Sequence, residues 1–149
     1  MNVFELLKQD HLKVSNIFEQ LESTDEIASS QRQTLFTQLK QELDIHAHVE
    51  ETILYPVLKQ ASETREITVE AYEEHQEVKD LLAELEAMPI DDEEWNDTLL
   101  ELKSNVEHHV DEEENEMFER ARTVLSQEQI DDIGNRIEEA KRQQKAASA

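Results

Sequence analysis

The chain contains no cysteine. That absence excludes disulfides, iron–sulfur clusters, thiolate-bound zinc and thiol catalysis together, so any metal must be held by nitrogen and oxygen ligands. Glycine occurs 1 time and proline 2 times in 149 residues, too seldom for the turns of a strand-rich fold. Basic residues are scarce as well: 14 Lys and Arg stand against 37 Asp and Glu, a formal net charge of −23. Nucleic acid and anionic membranes both require a basic footprint, so neither is expected as a partner. No apolar run approaches the roughly 20 residues of a membrane span. The first ten residues, Met1 to Asp10, lack the basic and apolar regions of a signal peptide, and the expected compartment is the cytoplasm.

What is abundant is Leu, Glu, Gln, Lys and Ala, all good helix formers, in a length that suits one hydrophobic core. The expected class is all-α. Capping-box spacing at Asn2 with Glu5, Ser30 with Gln33, Asp91 with Glu94 and Ser126 with Gln129 marks four helix starts. Helices are predicted at about 3–22, 31–60, 65–88, 92–124 and 127–143. Their short connections imply antiparallel neighbours, hence an up-down four-helix bundle over 1–125. Residues 126–149 are expected to add a C-terminal helix and a short disordered tail after Lys145.

Each of the first four helices carries an apolar seam at steps of three and four, and each seam is interrupted by one histidine. Helix one reads Phe4, Leu7, His11, Val14, Phe18, Leu21; helix three reads Ile67, Ala71, His75, Val78, Leu82, Leu85. Helix two reads Phe36, Leu39, Leu43, His46, Glu50, Ile53, Val57. Helix four reads Trp95, Leu99, Leu102, Val106, His109, Glu113, Met117, Ala121, Val124. A helix turns about 100° per residue, so His46 and Glu50 share a face, as do His109 and Glu113. The two pairs lie 63 residues apart, and His11 and His75 lie 64 apart, which makes the chemistry an internal repeat. Two carboxylates inside a bundle core cost several kcal/mol or more unless paired or metal-bound. No Lys or Arg lies in any seam to pair them. Four imidazoles and two bridging carboxylates suit two first-row ions of the iron or manganese type.

These residues, in the stretches Gln9-Asp-His-Leu-Lys, His46-Ala-His-Val-Glu-Glu-Thr-Ile-Leu-Tyr-Pro, Glu73-Glu-His-Gln-Glu-Val and His108-His-Val-Asp-Glu-Glu-Glu-Asn-Glu-Met-Phe, resemble the hemerythrin-like (HHE cation-binding) family from about Val3 to Leu125. The resemblance implies a four-helix bundle around two iron ions with an oxo or hydroxo bridge. It implies that His11 and His46 hold one iron, His75 and His109 the other, and that Glu50 and Glu113 bridge them. The chain departs from the oxygen-carrier pattern on helix three, where an HxxxH pair is replaced by His75 alone, with Ala71 and Lys79 four residues to either side. Helix four has HxxxE where carriers have HxxxxD, and Glu119 stands where the first repeat has Pro56. Tyr72, one turn before His75, is a candidate replacement ligand beside solvent, or a candidate hydrogen-bond donor to a bound peroxide.

The function implied is a non-haem di-iron protein that binds or reacts with a small diatomic or peroxide ligand: dioxygen, peroxide or nitric oxide. Iron or oxygen sensing, iron storage and reversible oxygen binding are the alternatives, and catalysis of a catalase- or peroxidase-like kind stays open. His48 and His108 fall outside the seams and are expected at the surface. Glu51, Glu112 and Glu114 adjoin the ligands in sequence, yet most of the run Asp111 to Glu116 should form a solvated acidic face, with one or two of the three glutamates free to bond a histidine Nδ1. Trp95, Phe4, Phe18, Phe36 and Met117 are expected to pack the core. The C-terminal stripe Ile130, Ile133, Ile137, Ala140 should pack on the bundle, or else mark a dimer or partner contact in a protein otherwise expected to be a monomer or weak dimer.

Overall fold

The computed structural model describes residues 2–24 and 29–148. Asn2 caps α1 (Val3–Glu22) by accepting from the Glu5 backbone N–H at 2.9 Å. The second helical rod is α2 (Ser29–Val49), a π-helical turn (Glu50–Leu54) and α3 (Tyr55–Gln60). The third is α4 (Ser62–Ala87). The fourth repeats the second: α5 (Glu93–Glu112), a π turn (Glu113–Met117) and α6 (Phe118–Val124). Four antiparallel rods form the bundle, and α7 (Gln127–Ser148) is the additional helix.

The starts differ from expectation in detail. Ser30 lies inside α2, so its predicted cap does not form; the residue before Ser29 is outside the described residues. At α5 the cap is Asp92, whose side chain accepts from the Glu94 N–H, one residue later than Asp91. Ser126 and Gln129 make the full reciprocal box, Gln129 N–H to Ser126 Oγ at 3.1 Å and Ser126 N–H to Gln129 Oε1 at 2.9 Å. Ser126→Ala is expected to lower unfolding stability by about 1 kcal/mol in a denaturant titration. At the other end α7 runs to Ser148 instead of fraying after Lys145, because Ala146 and Ala147 favour helix; Ala149 lies outside the described residues.

Two apolar clusters fill the bundle. One gathers Val3, Phe4, Leu7, Leu54, Tyr55, Leu58 and Phe118 with Ile130, Ile133 and Ile137 of α7. The other gathers Val14, Phe18, Leu43, Leu82, Trp95, Leu102 and Val106. The α7 stripe thus packs on the bundle, with Ala140 partly buried against the same cluster. Trp95, Phe4, Phe18, Phe36 and Met117 are core residues as expected. In each rod the seam histidine lies between residues of the two clusters, as His11 does between Leu7 and Val14. Apolar layers therefore seal a polar layer from above and below. Among the described residues no helix is long and apolar enough to cross a membrane.

Candidate metal centre

The polar layer brings together all six sequence-predicted residues: His11, His46, Glu50, His75, His109 and Glu113, each buried. Glu50 and Glu113 open the two π turns. A π turn inserts one residue into a helix and rotates everything beyond it, and such turns concentrate at functional sites. The seam consequently shifts: Val57 and Val124 are half-buried, while Tyr55, Leu58, Phe118 and Leu125 turn inward. The straight periodicity read from the sequence missed this rotation, and with it Tyr55.

Four imidazole Nε2 atoms and two carboxylates converge. Glu50 Oε1 lies 3.1 Å from His46 Nε2 and 3.2 Å from His75 Nε2. Glu113 spans the layer the other way, Oε1 at 3.2 Å from His11 Nε2 and Oε2 at 3.2 Å from His109 Nε2. Donor atoms group into two sets that could each hold a cation: Glu50, His75, His109 and Glu113 in one, His11, His46 and Glu113 in the other. The arrangement has approximate twofold symmetry. The His11 and His46 rings meet edge-on at 4.9 Å, and the His75 and His109 rings do so at 4.8 Å.

Each of the four histidines in the layer turns its Nδ1 outward onto a carboxylate: His46 to Asp10 at 2.9 Å, His109 to Glu74 at 2.7 Å, His75 to Glu51 at 3.0 Å and His11 to Glu114 at 2.5 Å. Such partners fix tautomer and ring orientation and leave Nε2 free to bind a metal. Asp10 and Glu74 precede the histidines of α1 and α4; Glu51 and Glu114 follow the glutamates of the π turns. Glu51 and Glu114 are thus the two of the three adjoining glutamates that bond a histidine Nδ1, as the sequence allowed for one or two of them. Each reaches a histidine on another helix, which the sequence did not identify. Glu112 instead meets exposed His108, and its hydrogen bond with Glu74 pushes its carboxyl up to about 7. His48 and His108 are exposed, as expected.

Tyr72 donates to the Glu51 backbone carbonyl at 3.3 Å and does not take up the position of a replacement ligand. Tyr55 does enter the layer: its hydroxyl donates to Glu113 Oε2 at 2.6 Å and lies 3.3 Å from His75 Nε2. Its ring stacks on His75 at 5.3 Å, and its repeat mate Phe118 stacks on His11 at 6.4 Å. One half of the layer thus has a phenol where the other has a bare ring. Aligning the sequence on its own repeat would have exposed the pair.

The electrostatics demand a cation. Glu50 Oε1 and Oε2, Glu113 Oε1, His11 Nε2 and His46 Nε2 are buried without a hydrogen-bond partner, which a native core rarely tolerates. In the absence of metal, protons fill the role. Burial opposes charge on His109, but hydrogen bonds to Glu113 and Glu74 overcome it and push the imidazole up to about 10. Burial would raise Glu113, but His109 and His11 hold its carboxyl well below the usual range. Burial, then the charges of Glu113 and Glu50, raise the Tyr55 phenol well above its ordinary value, so it stays a donor. Neutral imidazoles, ionised carboxylates and no thiolate form a set that fits divalent first-row ions.

Beside the four histidines lies an apolar cavity of about 40 Å3, walled by Val14, Leu43, Val78, Leu82, Val106 and Val110. Exposed Asp44 and Lys79 complete its lining, and a wider groove between α1 and α5 shares His11, Val14, Val106 and Val110 with it.

Comparison with known proteins agrees with this geometry. Residues 2–121 match the model of the hemerythrin HHE cation binding domain. A Nostoc protein named DNA nickase is 31% identical over 141 residues, which cover 95% of this chain but only 39% of that protein. The uncharacterized protein Rv2633c of Mycobacterium tuberculosis is 28% identical over 142 residues, covering 92% of this chain and 83% of that one. The crystal structure of an HHE cation binding domain-containing protein of Mycobacterium kansasii, an Rv2633c homolog, superimposes with a TM-score of 0.87 at 27% identity, covering 99% of this chain and 89% of that chain. A cation-binding family, the same helical fold and a buried His/Glu cluster agree on a metal-binding site, and the chain belongs to the hemerythrin HHE cation-binding domain family.

Proposed function

We propose that the layer holds two iron ions, one between His11 and His46 and one between His75 and His109, bridged by Glu50 and Glu113, and that it binds or reacts with a small oxidant. The single observation that carries this reading is the convergence of four outward-clamped histidines on two buried carboxylates, three of whose four oxygens have no hydrogen-bond partner. Iron bound there supplies electrons for binding or reducing dioxygen, peroxide or nitric oxide.

The chain's own part is positioning and exclusion. The cavity of about 40 Å3 is roomy enough for a two-atom ligand, and its small, mostly apolar interior disfavours larger organic substrates. Tyr55 presents an O–H at Glu113 Oε2, from which a proton can be lent to a ligand on the His75–His109 side. Peroxide disproportionation is the first candidate reaction because one peroxide is oxidised as another is reduced, so no separate electron donor is required. Cleavage of DNA is not part of this reading: a net charge of −23 repels a phosphate backbone.

The test is metal content with the visible spectrum of the anaerobically reduced protein, before and after oxygen, after oxygen removal, and after peroxide. About two irons per chain, by the ligand count, with oxygen evolved from peroxide is the expected result. A band that appears and reverses with oxygen would replace it by reversible oxygen binding. Purified protein that takes up no iron overturns the proposal.

A further inference from the structure

The C-terminal helix lies beyond the stretch matched by the family, yet it touches the site. Lys141 of α7 donates from Nζ to Asp10 Oδ1, and the other oxygen of the same carboxylate bonds His46 Nδ1 at 2.9 Å. Both links are shielded, the Lys141 side chain being 16% exposed and that of Asp10 7%. The chain of contacts thus runs from α7 through α1 to the α2 histidine whose Nε2 faces Glu50. The other half is built differently. Glu74, the repeat mate of Asp10, bonds His109 at 2.7 Å and meets His108 at 3.5 Å and Glu112, all on α5.

We propose that Lys141 makes α7 part of the metal centre: by holding the outer oxygen of Asp10 it fixes the ring of His46, so that retention of an ion in the His11–His46 half is coupled to the docking of α7. The inference rests on the reading that the layer binds metal. Lys141 is a positioning residue, acting through Asp10. Without it, Asp10 is free to swing toward water, and His46 loses the partner that fixes its tautomer. Loss of an outer partner of a ligating histidine costs about 10- to 100-fold in metal affinity. Because coupling is reciprocal, an ion bound at His46 must in turn hold α7 in place.

The sign of the effect separates positioning from bulk electrostatics. If Lys141 acted only as a nearby positive charge, its removal would tighten the binding of a cation. A positioning role predicts weaker binding, in one half alone.

The experiment titrates cobalt(II), which accepts the same nitrogen and oxygen donors, into the metal-free full chain, following its visible bands. Wild type, Lys141→Met and Lys141→Arg are compared, with helicity of each metal-free protein checked by circular dichroism. Two binding steps are expected in wild type, one of them weakened about tenfold in Lys141→Met, the lower end of the outer-partner range, and restored in Lys141→Arg. Amide exchange over α7 should slow on metal loading in wild type and not in Lys141→Met. Unchanged titrations, tighter binding, or equal weakening of both steps with lost helicity would each overturn the inference. A wild type that binds no cobalt would instead sink the metal reading beneath it.

Discussion

Replacing Glu50 with glutamine is expected to abolish the stabilisation that metal confers and, by a smaller amount, to weaken the metal-free bundle. Both effects follow from the site. Glu50 is fully buried, and in the metal-free protein its charge helps, against the cost of burial, to hold His46 and His75 protonated, so neutral glutamine leaves those imidazoles less compensated. Glutamine keeps the shape of the side chain and still reaches Nε2 of His46 and His75, which limits that loss. With metal the loss is larger. Glu50 faces histidines of both halves, and its loss should exceed the 10- to 100-fold penalty known for outer partners. A ligand at about a thousand times its Kd stabilises a protein by about 4 kcal/mol. For a chain of this size that corresponds to a Tm gain of about 8–16 °C. Melting curves of both proteins with and without iron(II) or cobalt(II) decide the matter. A Glu50→Gln variant that keeps the full gain would show that Glu50 is not a ligand.

A second large effect is expected from pH. In the metal-free protein His109 is raised from about 6.5 to about 10, and His46 and His75 are raised as well. A group whose folded pKa lies above its unfolded one contributes stability that is complete below the unfolded value and is lost as pH rises through the folded value. The metal-free bundle should therefore weaken between pH 6.5 and about 10, by on the order of a few kcal/mol. Asp10 sets the acid limit. Burial alone would raise its carboxyl, but hydrogen bonds from His46 and Lys141 hold it at about 2, so its contribution is present above about 4 and vanishes as pH falls through 2. Metal reverses the alkaline limb, since a ligating imidazole must be neutral and gains nothing from a proton. Denaturant midpoints across pH 6 to 10 should fall for the metal-free protein and hold level for the loaded one. A level metal-free profile would contradict the imidazolium network.

Much of this was legible in the sequence because buried ionisable residues on an apolar seam have few physical explanations. His11, His75 and the two HxxxE pairs occupy positions that packing alone would have given to Leu or Val, and the structure brings all six together. The all-α bundle followed from the same seams and from the lack of turn residues. What was not legible depends on contacts between helices. Nothing within helix two marks Glu51 as bound to His75, or within helix one marks Asp10 as bound to both His46 and Lys141. The π turns were hidden for another reason. Ile53 and Leu54, like Met117 and Phe118, are adjacent apolar residues, so either phase of the helix beyond them looks acceptable. Only the pull of Glu50 and Glu113 into the polar layer selects the phase that also delivers Tyr55.

The twofold arrangement has a consequence for how such a centre can diversify. His11, His46 and Glu50 come from the first half of the chain and His75, His109 and Glu113 from the second, yet Glu50 reaches His75 and Glu113 reaches His11. Each half completes the other, as two identical subunits would across an isologous interface. A true homodimer must alter both halves of its site with every substitution. Joining the halves in one chain removes that constraint. Tyr55 opposite Phe118, and a lysine-clamped Asp10 opposite Glu74, are two places where a single chain has already let one half of the layer depart from the other.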